Sequence, residues 1–135
     1  MVKTEVASGP CGRVVIMDSI TKVTPDDEGS FIVAASHGGA SSGEFALAVL
    51  LGGVFFNDAG LGKDGAGIAA LDLLQRRGIP AGTVSHTSAR IGDAPDMWEN
   101  GSISHLNEAA KGLGMEIGGS LREALVTVVT SRPPQ

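Results

Sequence analysis

The stretch that decides the fold is Val54–Val84, VFFNDAGLGKDGAGIAALDLLQRRGIPAGTV. Val54-Phe55-Phe56 is wholly apolar, short, and preceded by Gly52-Gly53, which reads as a buried strand. A helix is predicted next. Asp64 is a good N-cap, Ile68, Leu71 and Leu74 form one apolar stripe, and Gln75-Arg76-Arg77 close the last turn. Gly78 suits the left-handed position just past a helix, and Pro80 prevents continuation. Ala81–Val84 then reads as a second buried strand.

Working outward toward the N-terminus, Phe31–Ala35 is another apolar, partly β-branched strand. Ser41-Ser42-Gly43-Glu44 has the spacing of a capping box and opens a helix over Phe45–Leu51. The order from Phe31 to Val84 is thus two strand–helix–strand units, which imply parallel strands and right-handed crossovers. Further upstream, Arg13–Ser19 opens a strand that extends toward Val23, and Thr24–Gly29 is a turn cluster. A connection so short predicts a hairpin, with the strands at 13–19 and 31–35 antiparallel.

Toward the C-terminus, Ser88–Glu99 and Ser102–Leu113 read as polar loop and helix, with a stop at Gly112 and Gly114. Met97 and Trp98 are large apolar residues in that polar setting. Packing into the core explains them better than a lid over a site. Leu121–Val129 suits helix or strand, and the β-branched run Val126–Val129 favours strand in its second half.

The expectation is an α/β fold: a small, mostly parallel sheet with helices packed on it, led by an antiparallel strand. A Rossmann-like or flavodoxin-like three-layer arrangement fits, as does a two-layer one. Residues 1–12 read as a flexible arm, 13–130 as a single domain and 131–135 as a frayed end. With 135 residues the chain can bury a core without disulfides or structural metal. Cys11 is the only cysteine, so it reads as a bystander and fits a reducing compartment. No run approaches a membrane span and the start lacks a signal-peptide core, so a soluble cytoplasmic protein is expected. The net charge of −5 and the scarcity of aromatic residues argue against nucleic acid as a partner. The basic doublet Arg76-Arg77 is explained by the helix end on which it falls.

In open α/β sheets ligands bind beyond the carboxyl ends of the strands. Here each strand of the two units ends in reactive residues: Ser36-His37-Gly38-Gly39, Asn57–Asp64 and Ser85–Asp93. Loops are polar anyway. That alone does not account for two of the three histidines at equivalent strand ends, or for Lys63 within a glycine loop. The expected catalytic set is His37, His86 and Asp58, with Ser36 and Ser85. Imidazole exchanges protons near neutral pH, and a carboxylate orients it. Neighbouring residues on extended backbone point to opposite faces, so a serine–histidine pair would have to form across loops, for instance Ser36 with His86.

Gly38, Gly39, Asn57, Gly60, Gly62, Lys63 and Arg90 are expected to hold substrate. Glycine-freed backbone N–H groups and two cations suit a small carboxylate or phosphate. The alternative use of Lys63 and Arg90 is in ordinary surface bridges to Asp58, Asp64 or Asp93, worth at most ~1 kcal/mol each. Gly60-x-Gly62-x-x-Gly65 formally matches a dinucleotide fingerprint, but Ser85-His86 stands where the ribose-binding acid belongs. It is not a phosphate loop of the Walker type either, since Asn57 replaces the first glycine and Asp64 follows Lys63. No motif requires a cofactor. A divalent metal is compatible, with His37, His86, Asp58 and Asp93 as candidate ligands, although no ligand spacing supports it. His105 reads as a helix-surface or interface residue.

The function expected is a small-molecule enzyme, of hydrolase or lyase type, acting on an anionic carboxylate- or phosphate-bearing metabolite. The alternative is a non-catalytic ligand-binding or assembly module. A homo-oligomer is expected in either case, with the apolar Phe45–Phe56 segment a candidate for burial between subunits.

Overall fold

The computed structural model describes residues 3–37, 40–59 and 69–131. Six strands lie in one mixed sheet whose spatial order is the order of the sequence. They are β1 (Lys3–Gly9), β2 (Gly12–Met17), β3 (Phe31–His37), β4 (Gly53–Asn57), β5 (Ala81–Val84) and β6 (Ile103–Leu106). The helices are α1 (Ala40–Leu47), α2 (Ala69–Gln75), α3 (Ala94–Asn100), α4 (Glu108–Lys111) and α5 (Leu121–Thr130). The class is α/β. The pairs β2–β3, β3–β4 and β4–β5 are parallel, and the two outer pairs are antiparallel.

Side chains alternate across a strand, so each inner strand feeds two apolar clusters. Val14, Ile16, Phe31, Val33 and Phe55 join one of them, together with Met97 and Trp98 of α3 and Leu121, Leu125 and Val129 of α5. Val15, Met17, Ile32, Ala34, Val54 and Phe56 join the other, with Ala46 of α1 and Ala70, Leu71 and Leu74 of α2. Each large aliphatic or aromatic side chain so buried contributes roughly 1.5–3 kcal/mol. Met97 and Trp98 therefore pack, as expected. The apolar character of Val54–Phe56 is accounted for inside one chain, because all three residues are fully buried.

Several expectations change. The strands at 13–19 and 31–35 are parallel, not antiparallel. The intervening residues 18–30 are long enough for a crossover and make it with two 3₁₀ turns, Ile20–Lys22 and Pro25–Asp27. Ser19 caps the first turn, accepting from the Thr21 N–H, so β2 stops at Met17 and does not run toward Val23.

The leading antiparallel strand is instead β1, in residues expected to be a flexible arm. Its start is held by Lys3, whose Nζ lies 2.9 Å from the buried Asp27 carboxylate and donates to the Lys22 carbonyl at 2.7 Å. The Cys11 N–H donates to the Val129 carbonyl at 3.0 Å, and its Sγ to that of Ser131 at 2.7 Å. The frayed end expected at 131–135 lies outside the described residues apart from Ser131.

The capping-box residues Ser41–Glu44 fall inside α1, which begins at Ala40. Asp64 and Ile68 lie outside the described residues, whereas Leu71 and Leu74 are buried as the stripe requires. Gly78 takes φ +69°, the left-handed value expected of it. The first half of the helix expected at 102–113 is β6, and only Glu108–Lys111 are helical. Leu121–Thr130 is helical throughout. No helix among the described residues is long and apolar enough to cross a membrane.

Candidate functional site

The register aligns His37 of β3 with Asn57 of β4, and Asn57 with Val84 of β5, so three parallel strands end side by side. The chain then leaves β4 toward α2 in one apolar cluster and leaves β5 toward α3 in the other. Adjacent parallel strands whose continuations part to opposite faces leave a gap above their carboxyl ends, the physical basis of ligand crevices in α/β sheets. Asp58 and His86 sit at that divergence.

The two residues are joined tightly. Asp58 Oδ1 accepts from the His86 backbone N–H at 2.8 Å and from His86 Nδ1 at 2.7 Å. The Asp58 side chain is only 8 % exposed, while that of His86 is 58 % exposed. A carboxylate buried behind a solvent-facing imidazole is the arrangement that orients a proton-transferring histidine. Burial pushes the Asp58 carboxyl up. Hydrogen bonds from the His86 side chain, from its backbone N–H and from the Ser104 side chain outweigh it, so the net shift is downward. Asp58 is therefore the ionised, acceptor-only partner.

The loop carrying His86 is held from several sides. Asn57, fully buried, donates from Nδ2 to the Ala89 carbonyl at 3.0 Å and accepts the Ala59 N–H at 2.8 Å. Its amide thus joins β4 to the β5–α3 loop. Ser88 Oγ donates to the Ser85 carbonyl and accepts the Ser102 N–H. Gly92, at φ +81°, turns the chain back so that its N–H reaches the Ala35 carbonyl at 2.9 Å.

Arg90 shares with His86 a surface cleft of about 260 Å³, also lined by Thr87, Ser88, Ala89 and Asp96. The Asp96 carboxylate accepts the Arg90 N–H at 2.8 Å. Hydrogen bonds from Asn100 and from the Arg90 backbone, with the nearby Arg90 charge, hold its pKa below the ordinary value. The cleft therefore carries one cation and one anion beside the imidazole.

The expected site residues divide accordingly. Asp58 and His86 are brought into contact, and Arg90 shares their surroundings. The hydrogen bond that Ser36 makes is to the β2–β3 crossover: its Oγ accepts the Ile20 N–H at 2.9 Å, at the start of a 3₁₀ turn. Ser85 Oγ bonds to Thr87 within its own loop. Asp93 caps α3, accepting the Asp96 N–H at 3.0 Å. His37 ends β3 at the same sheet edge. Gly38, Gly39, Gly60, Gly62, Lys63, Asp64 and Gly65 lie outside the described residues. Among the described residues no three ligating side chains cluster as a metal would require.

Sequence reasoning missed Thr83 and Ser104, and it placed His105 on a helix surface or interface. Thr83 is fully buried on β5, and its Oγ1 lies 2.8 Å from Ser104 Oγ and 2.9 Å from His105 Nδ1. Gly82 permits this approach, since a Cβ there would lie 2.6 Å from the His105 carbonyl oxygen. The available signal was a hydroxyl within the apolar run Ala81–Val84, because a buried hydroxyl needs a partner. His105 is consequently a strand residue bound to a neighbouring strand, not a helix-surface one. Comparison with protein-family models, with curated proteins and with solved structures finds no match.

Proposed function

We propose that this chain is an enzyme of hydrolase or lyase type in which His86 moves the proton and Asp58 orients it, acting on a small carboxylate- or phosphate-bearing metabolite. The observation that carries the reading is the double hydrogen bond from His86 to one oxygen of the buried Asp58. Because Asp58 only accepts, neutral His86 carries its hydrogen on Nδ1, which leaves Nε2 as the basic nitrogen of a ring that lines the cleft. Nε2 takes a proton from water in hydrolysis, or from a carbon beside the substrate's carboxylate in elimination. The imidazolium that forms is stabilised by the Asp58 charge, and the proton returns to the leaving group. Arg90 holds the anionic group, aided by Lys63 and the backbone of Gly60 and Gly62. A three-layer arrangement and a reducing, cytoplasmic setting belong to the same proposal.

A thermal-shift panel of small carboxylates and phosphates, followed by turnover assays of the hits, tests it. A ligand at 100 times its Kd adds about 2.7 kcal/mol of stability. Arg90→Ala is expected to abolish the shift. His86→Ala is expected to keep binding and lower turnover by about 10²–10⁴-fold. Turnover unchanged in His86→Ala would overturn the assignment, and binding without turnover in the unsubstituted chain would favour the non-catalytic alternative.

A further inference from the structure

Asn57 ends β4, immediately before Asp58, and has no exposure to water. Its Nδ2 stands 3.0 Å from the Ala89 carbonyl and its Oδ1 2.8 Å from the Ala59 N–H. A carbonyl only accepts and a backbone N–H only donates, so these two partners fix the amide in one orientation. The Oδ1 bond folds a tight turn over residues 57–59, with Asp58 at its middle. The Nδ2 bond reaches the turn that carries His86. There the Ala89 N–H donates to the Ser85 carbonyl at 3.1 Å, closing residues 85–89 into one turn.

Two consecutive residues thus grip one turn at two points, Asp58 at His86 and Asn57 at Ala89. A turn held at a single point can swing about it, whereas two points fix its angle. The angle matters here. The backbone N–H and Nδ1 of His86 both meet one carboxylate oxygen, at 2.8 and 2.7 Å, a fork that tolerates little rotation.

We propose that Asn57 is a positioning residue: its buried amide fixes Asp58 through the 57–59 turn and His86 through Ala89, and so sets the contact between them. The proposal rests on the reading of Asp58 and His86 above. Asn57→Ser separates this role from packing alone. Serine keeps an acceptor for the Ala59 N–H but is too short to replace Nδ2 at Ala89.

The test needs no substrate. Amide hydrogen exchange in the full chain labelled with ¹⁵N reads the opening of the His86 turn directly. The His86 N–H is expected to be protected in the unsubstituted chain and about tenfold less protected in Asn57→Ser. Asn107→Ala is the control, because Asn107 is also a buried amide between elements but bonds the first residue of β5. It weakens the molecule away from the turn, and the local opening that governs His86 should be unchanged. Protection of His86 unaltered in Asn57→Ser, or lowered as much in Asn107→Ala, overturns the proposal.

Should Asn57→Ser fail to fold, the unsubstituted chain decides the matter. The Asn57 side-chain amide and the His86 N–H are expected to open as one unit, with protection factors within about tenfold of each other. A wider gap overturns the proposal. A distinct result bears on the pair itself. Long-range ¹H–¹⁵N correlation at about pH 8.5, above the ordinary histidine range, reports the imidazole tautomer. His86 found as Nε2–H in the unsubstituted chain, or its backbone N–H unprotected there, would overturn the reading of Asp58 and His86, whatever Asn57 does.

Discussion

At the residue scale, Asp58 combines two opposing effects, burial that favours the neutral acid and hydrogen bonds that favour the carboxylate. The bonds win, so its folded-state pKa is depressed. A depressed carboxylate contributes stability that is present above the ordinary aspartate range and lost as pH falls through the lowered value. Asp58→Asn is therefore expected to cost about 1.5–3 kcal/mol at pH 7, the worth of hydrogen bonds to a charged group. The difference from the unsubstituted chain should shrink as pH falls below about 3.9, the ordinary aspartate value. Urea denaturation of both at pH 7 and pH 3 checks it, and an equal difference at the two pH values would contradict it. Asp58 and His86 were legible as candidates because both follow short apolar strands. Their contact was not legible, since it depends on which strands are neighbours. Ser36 and Ser85 were chosen for their chemistry, yet backbone N–H groups of local turns take their hydroxyls.

At the scale of elements, the C-terminal third shows what local reading lacks. The β-branched run Val126–Val129 leans toward strand, but Leu121, Leu125 and Val129 recur at helical spacing, all fully buried. Ser120 also caps the helix by accepting the Glu123 N–H at 3.2 Å. Burial at that period outweighs a propensity difference of about 1 kcal/mol. Ile103–Leu106 went the other way, a strand recognised only through its partner β5.

Asn107 joins these elements. Its Oδ1 accepts the Ala81 and Ala110 N–H groups at 3.0 and 2.9 Å, and its Nδ2 donates to the Ile79 carbonyl at 3.0 Å and to that of Leu71 at 3.3 Å. Asn107→Ala would remove the cap of α4 and take away the partner of the buried Ala81 N–H and of the Ile79 carbonyl. A loss of about 2–4 kcal/mol is expected from chemical denaturation. Less than about 0.5 kcal/mol, the usual size of a surface change, would mean the bonds contribute nothing net.

At the scale of the whole molecule, two apolar clusters share one sheet, so damage to either should be felt by the entire fold. Leu74→Ala on one cluster and Leu125→Ala on the other are each expected to cost 2–5 kcal/mol, by the usual range for buried leucine. Both variants should unfold in a single transition followed alike by Trp98 fluorescence and by circular dichroism. Separate transitions would show that the clusters are independent. The α/β class and the strand–helix–strand units were legible because Gly78, Pro80 and the apolar runs mark their limits. The direction of β2 against β3 was not, since a crossover made of 3₁₀ turns leaves no apolar helical stripe to read. The sequential strand order has one further consequence, for synthesis. As the chain leaves the ribosome, each strand emerges next to the one already placed, and the sheet can grow without waiting for distant partners. The cover over β1 and β2 is different, because it is α5, almost the last described segment to appear. Until then the part of that apolar face which α5 covers stays open, with only α3 beside β2, so a nascent chain stalled before Leu121 is expected to need a chaperone to stay in solution.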